Sequence, residues 1–85
     1  MKDTLIFILQ KLVDHPEDIV VDDTKDGDST ILTIHANAED IGKIIGKSGR
    51  IIKALRDIIK LMATKEQTYV DVVIAEPEQP QPVTE

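Results

Sequence analysis

The sequence predicts an α+β domain of element order αββααβ, and three observations carry that prediction. Residues 4 to 13 and 49 to 64 place apolar side chains at helical spacing. Residues 19 to 23, 30 to 35 and 68 to 74 are short runs rich in β-branched residues and read as strands. Between the second strand and the long helix, Gly46 and Gly49 stand three apart in the run Ile45-Gly46-Lys47-Ser48-Gly49-Arg50-Ile51-Ile52. That run predicts a tight loop between two helical segments.

In the first helix Leu5, Ile8, Leu9, Leu12 and Val13 share a face, Asp3 stands where an N-cap is expected, and Pro16 stops the helix soon after Asp14. Ile19-Val20-Val21 and Thr30-Ile31-Leu32-Thr33-Ile34-His35 flank Lys25-Asp26-Gly27-Asp28, whose Asp-Gly pair predicts an antiparallel hairpin. Asn37 is placed to cap a short helix over about 38 to 45, in which Ile41, Ile44 and Ile45 share a face and Glu39 and Asp40 complement the helix dipole. The next helix, from Gly49 to Thr64, repeats Ile51, Ile52, Leu55, Ile58, Ile59 and Met62 as one buried stripe. Thr68 to Ile74 is a third strand. Reached through a two-helix crossover, it is expected to lie parallel to its neighbour.

Residues 1 to 75 fit one domain, near the lower size at which a core suffices without staples. Glu76 to Glu85 holds Pro77, Pro80 and Pro82 with no apolar periodicity and is expected to be a disordered, acidic, proline-rich tail. The chain has no cysteine, which excludes disulfides and thiolate metal sites and suits a reducing cytoplasm. The apolar run Leu5 to Leu9 is too short for a signal segment, so the start reads as a mature N-terminus. No stretch approaches the roughly 20 apolar residues that span a bilayer.

Chemistry concentrates in the glycine loop. Neither glycine has a Cβ to obstruct an approaching group, so backbone N–H groups can come close to a phosphate while Lys47 supplies charge at the tip. The triphosphate-binding pattern GxxxxGK(S/T) fails by one residue, because its first glycine would fall on Ile41 and the available Gly42 comes one position late. The net charge is −6, yet Lys43, Lys47, Arg50, Lys53, Arg56 and Lys60 face Asp57 alone between residues 43 and 60. That stretch carries +5 and leaves −11 for the remainder, so a bound anionic strand would feel local attraction within a screening length of about 8 Å.

Catalysis has no such support. His15 precedes Pro16 and His35 alternates along a strand, with no ligand at metal-like spacing and no recognisable nucleophile and base pair. No cofactor is called for.

The stretch IGKIIGKSGRIIKALR, residues 41 to 56, resembles the IGxxGxxI signature of the KH domain, and the element order matches its type II arrangement. A stand-alone acidic domain of this size resembles in particular the small bacterial KhpA (YlqC) family. The resemblance implies a three-stranded mixed sheet with three helices on one face. It further implies a GxxG loop that clamps single-stranded RNA, with Gly46, Lys47, Ser48 and Gly49 in the clamp and Arg50, Lys43 and Lys53 flanking the strand. Ile41, Ile44, Ile45, Ile52 and Val72 are the implied lining of an aliphatic base groove. Ser48 is read as capping the second core helix, and Arg56 and Lys60 as solvated.

With Phe7 and Tyr69 as the only aromatics, the chain lacks the stacking platform of RRM and OB folds. Low-specificity binding of about four nucleotides is therefore expected, strengthened by additional copies or a second RNA-binding chain. The resemblance implies a homodimer and pairing with a larger KH-containing protein of the KhpB or Jag family, in post-transcriptional control of cell elongation and division. The alternative is a protein–protein adaptor with little RNA binding, favoured by the acidity of the chain.

Overall fold

A computed structural model describes residues 1–75; the tail expected over residues 76 to 85 lies outside them. The elements are α1 (Lys2–Leu12), β1 (Val20–Asp26), β2 (Ser29–His35), α2 (Ile41–Ile45), α3 (Arg50–Lys65) and β3 (Tyr69–Ile74). Single turns of 3-10 helix at Pro16–Asp18, Ala38–Asp40 and Lys47–Gly49 join them. The αββααβ order and the α+β class are as the sequence predicts.

The sheet runs β1-β2-β3. The β1 and β2 strands are antiparallel, with Val21 opposite Ile34 and Asp26 opposite Ser29; β2 and β3 are parallel, with Leu32 opposite Val72. The sheet is therefore mixed, because a hairpin reverses the chain while the α2–α3 crossover returns it in the same direction. Alternation assigns its two faces. Val21, Leu32, Ile34, Val70 and Val72 are buried beneath the helices, whereas Asp22, Thr24, Asp71 and Tyr69 are exposed.

The core closes this face with Leu5, Leu9 and Val13 from the α1 end, Ile44 from α2, and Leu55, Ile59 and Ala63 from α3. Each arrives by the 3-4 spacing read in the sequence. The first helix starts two residues earlier than predicted, at Lys2, so Asp3 lies in its first turn and makes no cap. An acid there still favours the helix dipole.

Asp40 departs most from expectation. The sequence places it as a partner of a helix dipole alone, yet it is 1% exposed and tied to other segments. Its Oδ1 accepts the Asp14 N–H at 3.2 Å, and its Oδ2 accepts the His15 N–H at 2.9 Å and meets His15 Nδ1 at 3.1 Å. The carboxylate thus joins the segment after α1 to the turn that launches α2. A buried charge is tolerated only when hydrogen-bonded and paired, and this one is both. His15 is correspondingly tied down. Asn37 caps as predicted, but the turn it caps is 3-10: its Oδ1 accepts the Glu39 N–H at 2.9 Å.

Hydrogen bonding to Asp40 raises the His15 pKa against the opposing effect of burial, with the charges of Asp40, Glu39 and Glu17 assisting. For Asp40, burial opposes ionisation, but the bonds from Asp14 and His15 outweigh it and lower its pKa. A histidine raised in the folded state contributes stability that is complete below its unfolded value of 6.5 and is lost as pH rises through the folded one. Asp40 contributes above its unfolded value of 3.8 and ceases to do so as pH falls through the lowered one. The melting-temperature difference between wild type and His15→Gln is expected to be larger at about pH 5.5 than at about pH 8.5. A difference that is flat across that range would contradict the pairing.

Candidate functional site

The reversal between α2 and α3 occupies four residues, Gly46 to Gly49, and three of them have positive φ. Gly46 lies at φ 79°, ψ 172°, Ser48 at φ 57°, ψ 26°, and Gly49 at φ 74°, ψ 15°. The Gly46 conformation belongs to a region that only glycine populates. A Cβ built there would sit 2.5 Å from Cγ1 of Ile51, so the loop closes by resting its first glycine directly on α3. The left-handed conformation of Gly49 is one that asparagine also adopts, and a Cβ there meets nothing within 4 Å.

Hydrogen bonds within the turn leave part of it available. The Gly46 N–H donates to the Gly42 carbonyl at 2.9 Å, the Gly49 N–H to the Gly46 carbonyl at 3.1 Å, and the Arg50 N–H to the Lys47 carbonyl. Among the described residues no acceptor takes the N–H of Lys47 or Ser48. Both residues are exposed. The N-terminus of the 16-residue α3 adjoins them and adds a partial positive charge of about +0.5. Two open donors, a helix N-terminus and the Lys47 ammonium together make a site for an anion.

Ser48 does not cap α3 as expected. Gly49 occupies the N-cap position, the helix has no side-chain cap, and Ser48, left-handed in backbone, has no hydrogen-bond partner for its hydroxyl among the described residues. A non-glycine residue in that conformation stores about 1–2 kcal/mol of strain.

Around the loop, Arg50 is exposed and carries no ion pair among the described residues. Lys43 meets Asp14 at 3.3 Å and Lys53 meets Asp57 at 3.3 Å. Surface pairs of this kind are worth about 0–1 kcal/mol, so a phosphate can compete for either lysine. Ile41 and Ile52 are half-buried, and Ile45 is 37% exposed. All three retain accessible apolar surface near the turn.

Two of the predicted groove residues do not. Ile44 and Val72 are both 0% exposed members of the core, so neither can touch a base. Both pack within the core. The apparent face of Ile41, Ile44 and Ile45 is divided because α2 is only five residues long, and its inward direction is taken by Ile44 alone.

Sequence reasoning missed Arg56. Read as solvated, it donates from Nε to the Val72 carbonyl at 3.0 Å, tying α3 to the outer edge of β3. Its three- and four-residue spacing from Lys53 and Lys60 is the available signal, since those positions form one flank of α3. Among the described residues there is no cluster of three histidine, cysteine or acidic side chains able to hold a metal. None of the described helices is long and apolar enough to cross a membrane.

Comparison with known proteins agrees with this architecture. The family described as KhpA/KhpB, KH domain, matches residues 2–74. The RNA-binding protein KhpA of Clostridium perfringens is 45% identical over 74 residues, covering 87% of this chain and 99% of the relative. Its counterpart in Halalkalibacterium halodurans is 41% identical over 70 residues, covering 82% and 92%. The RNA-binding protein KhpA of Listeria monocytogenes is 34% identical over 76 residues, covering 89% and 100%. No solved structure matches the chain.

The two glycines should respond unequally to substitution. Gly46→Ala is expected to cost about 1–3 kcal/mol in backbone strain and more from the overlap with Ile51. Gly49→Asn should cost less than about 1 kcal/mol. Urea unfolding of the two variants measures the difference, and equal losses would contradict the assigned backbone.

Proposed function

Because this chain belongs to the KhpA/KhpB KH-domain family, we propose that it is a single-stranded RNA-binding protein whose Gly46-Lys47-Ser48-Gly49 loop clamps the RNA backbone. The observation that carries this reading is the turn itself: two unengaged N–H groups, the Lys47 ammonium and the start of α3 converge on one exposed point. A phosphate bound there gains hydrogen bonds and charge compensation together. The relatives named above are RNA-binding proteins, which supports the same assignment.

In this reading Arg50, Lys43 and Lys53 hold the phosphates on either side. Ile41, Ile45 and Ile52 offer the apolar surface against which bases lie. Recognition is tolerant of sequence, because aliphatic surface excludes water without specifying a base. The protein acts as an RNA chaperone or post-transcriptional regulator in the cytoplasm, not as an enzyme and without a cofactor. Each phosphate contact made by a lysine or arginine should steepen the logarithmic salt dependence of binding by about 0.7.

A partner role operates beside RNA binding, and one surface favours it. On the solvent side of α3, Ile58 is 42% and Leu61 is 71% exposed. Phe7, on α1, is also exposed. Apolar surface of this kind suits a homodimer or a heterodimer with a larger KH-containing protein of the KhpB or Jag family, in control of cell elongation and division. Joining two clamps in this way raises avidity through effective concentration.

Fluorescence anisotropy with a short unstructured RNA pool tests the clamp. Lys47→Asp with Ser48→Asp should remove salt-dependent binding while circular dichroism remains that of the wild type. Leu61→Glu should leave the clamp intact and lower the mass measured by light scattering. Undiminished binding by the folded double variant would refute the clamp.

A further inference from the structure

Among the described residues, the outer edge of β3 is closed at one residue only. Pairing with β2 leaves alternate polar groups of β3 facing outward; the Ala75 N–H continues the inward set by donating to the Ile34 carbonyl at 2.9 Å. Val72 belongs to the outward set. Its N–H donates to Oδ1 of Asp71 at 2.9 Å, and its carbonyl accepts from Nε of Arg56 at 3.0 Å. Val72 is 0% exposed, so the guanidinium takes the place of water at this carbonyl, and one of its five N–H donors is enough to do so.

The remainder of Arg56 has no partner among the described residues. Only Nε is engaged, and among the described residues no carboxylate lies within ion-pairing distance of its terminal nitrogens. The anchor reduces the rotamer freedom of a long side chain and so pre-orients the planar fork beyond it. Arg56 follows Arg50 by six residues, about 9 Å along the helix, on the flank that also carries Lys53 and Lys60. A strand held at the loop and running along that flank brings its next bases to the Arg56 fork.

We propose that Arg56 is a base-reading residue: fixed by Val72, it presents its two terminal amino groups as a donor pair to a base with two adjacent acceptors. Guanine offers O6 and N7, and cytosine offers O2 and N3. Adenine and uracil set a donor beside each acceptor on the corresponding edges and pair less well. The inference rests on the RNA reading of the loop and adds to it a preference at one position. Lysine in place of Arg56 keeps the charge but loses the planar pair.

The experiment compares uridine-rich octamers that differ at one central position, G, C, A or U, by competitive anisotropy with wild type and Arg56→Lys. Wild type is expected to favour G or C over A and U by at least about fivefold, the low end of what a bidentate contact supplies. Arg56→Lys should bring all four within about twofold while its affinity for the all-uridine octamer changes by less than about threefold. Equal binding of all four by wild type would overturn the proposal, even if the variant proved unstable. A preference retained in Arg56→Lys would also overturn it. Failure of wild type to bind any octamer would instead remove the RNA reading, and this inference with it.

Discussion

The absence of a side chain at Gly46 is the constraint on which the rest of the molecule depends. It lets α2 end and α3 begin within four residues, with the backbone of Gly46 lying against Ile51 closer than any Cβ permits. The direction of α3 follows from that contact, and with it the placement of Leu55, Ile59 and Ala63 on the sheet. In the same turn the Lys47 and Ser48 N–H groups have no acceptor among the described residues. Packing and the proposed anion clamp are therefore both consequences of one local geometry. The buried Asp40 supports it from the other end, fixing the start of α2 to the segment after α1.

Charge is divided between the two faces. Lys43, Lys47, Arg50, Lys53, Arg56 and Lys60 gather on α2, the loop and α3, while Asp22 and Asp71 project from the open face of the sheet. At a screening length of about 8 Å, the acidic face weakly opposes binding at the loop and strongly opposes anionic strands on its own side. The net charge of −6 thus restricts where an anion can lie and does not argue against an anionic ligand.

Local patterns were legible in the sequence, and compensating side-chain partners were not. The glycine spacing located the loop, the 3-4 repeat of α3 identified its buried stripe, and the Asp-Gly signal placed the hairpin. Asp40 was misread because exposed acids at helix starts are common, and nothing in the chain marks the Asp14 and His15 N–H groups as its partners before folding brings them together. Arg56 was missed for the same reason, since its partner is a main-chain carbonyl, and carbonyls carry no sequence signal. Ile44 and Val72 were assigned to a groove by position in a motif. The burial of Ile44 depends on how few residues α2 has in which to face both the core and solvent, and that of Val72 on its place on the helix-covered face of β3.

The most direct test of the central claim is the amide spectrum of the 15N-labelled protein as a short uridine-rich RNA is added. The largest shifts are expected at Lys47 and Ser48, extending into the first turn of α3, as their free N–H groups acquire phosphate acceptors. Shifts concentrated on the open sheet face, at Asp22, Thr33 and Asp71, with the loop signals unmoved, would contradict the account.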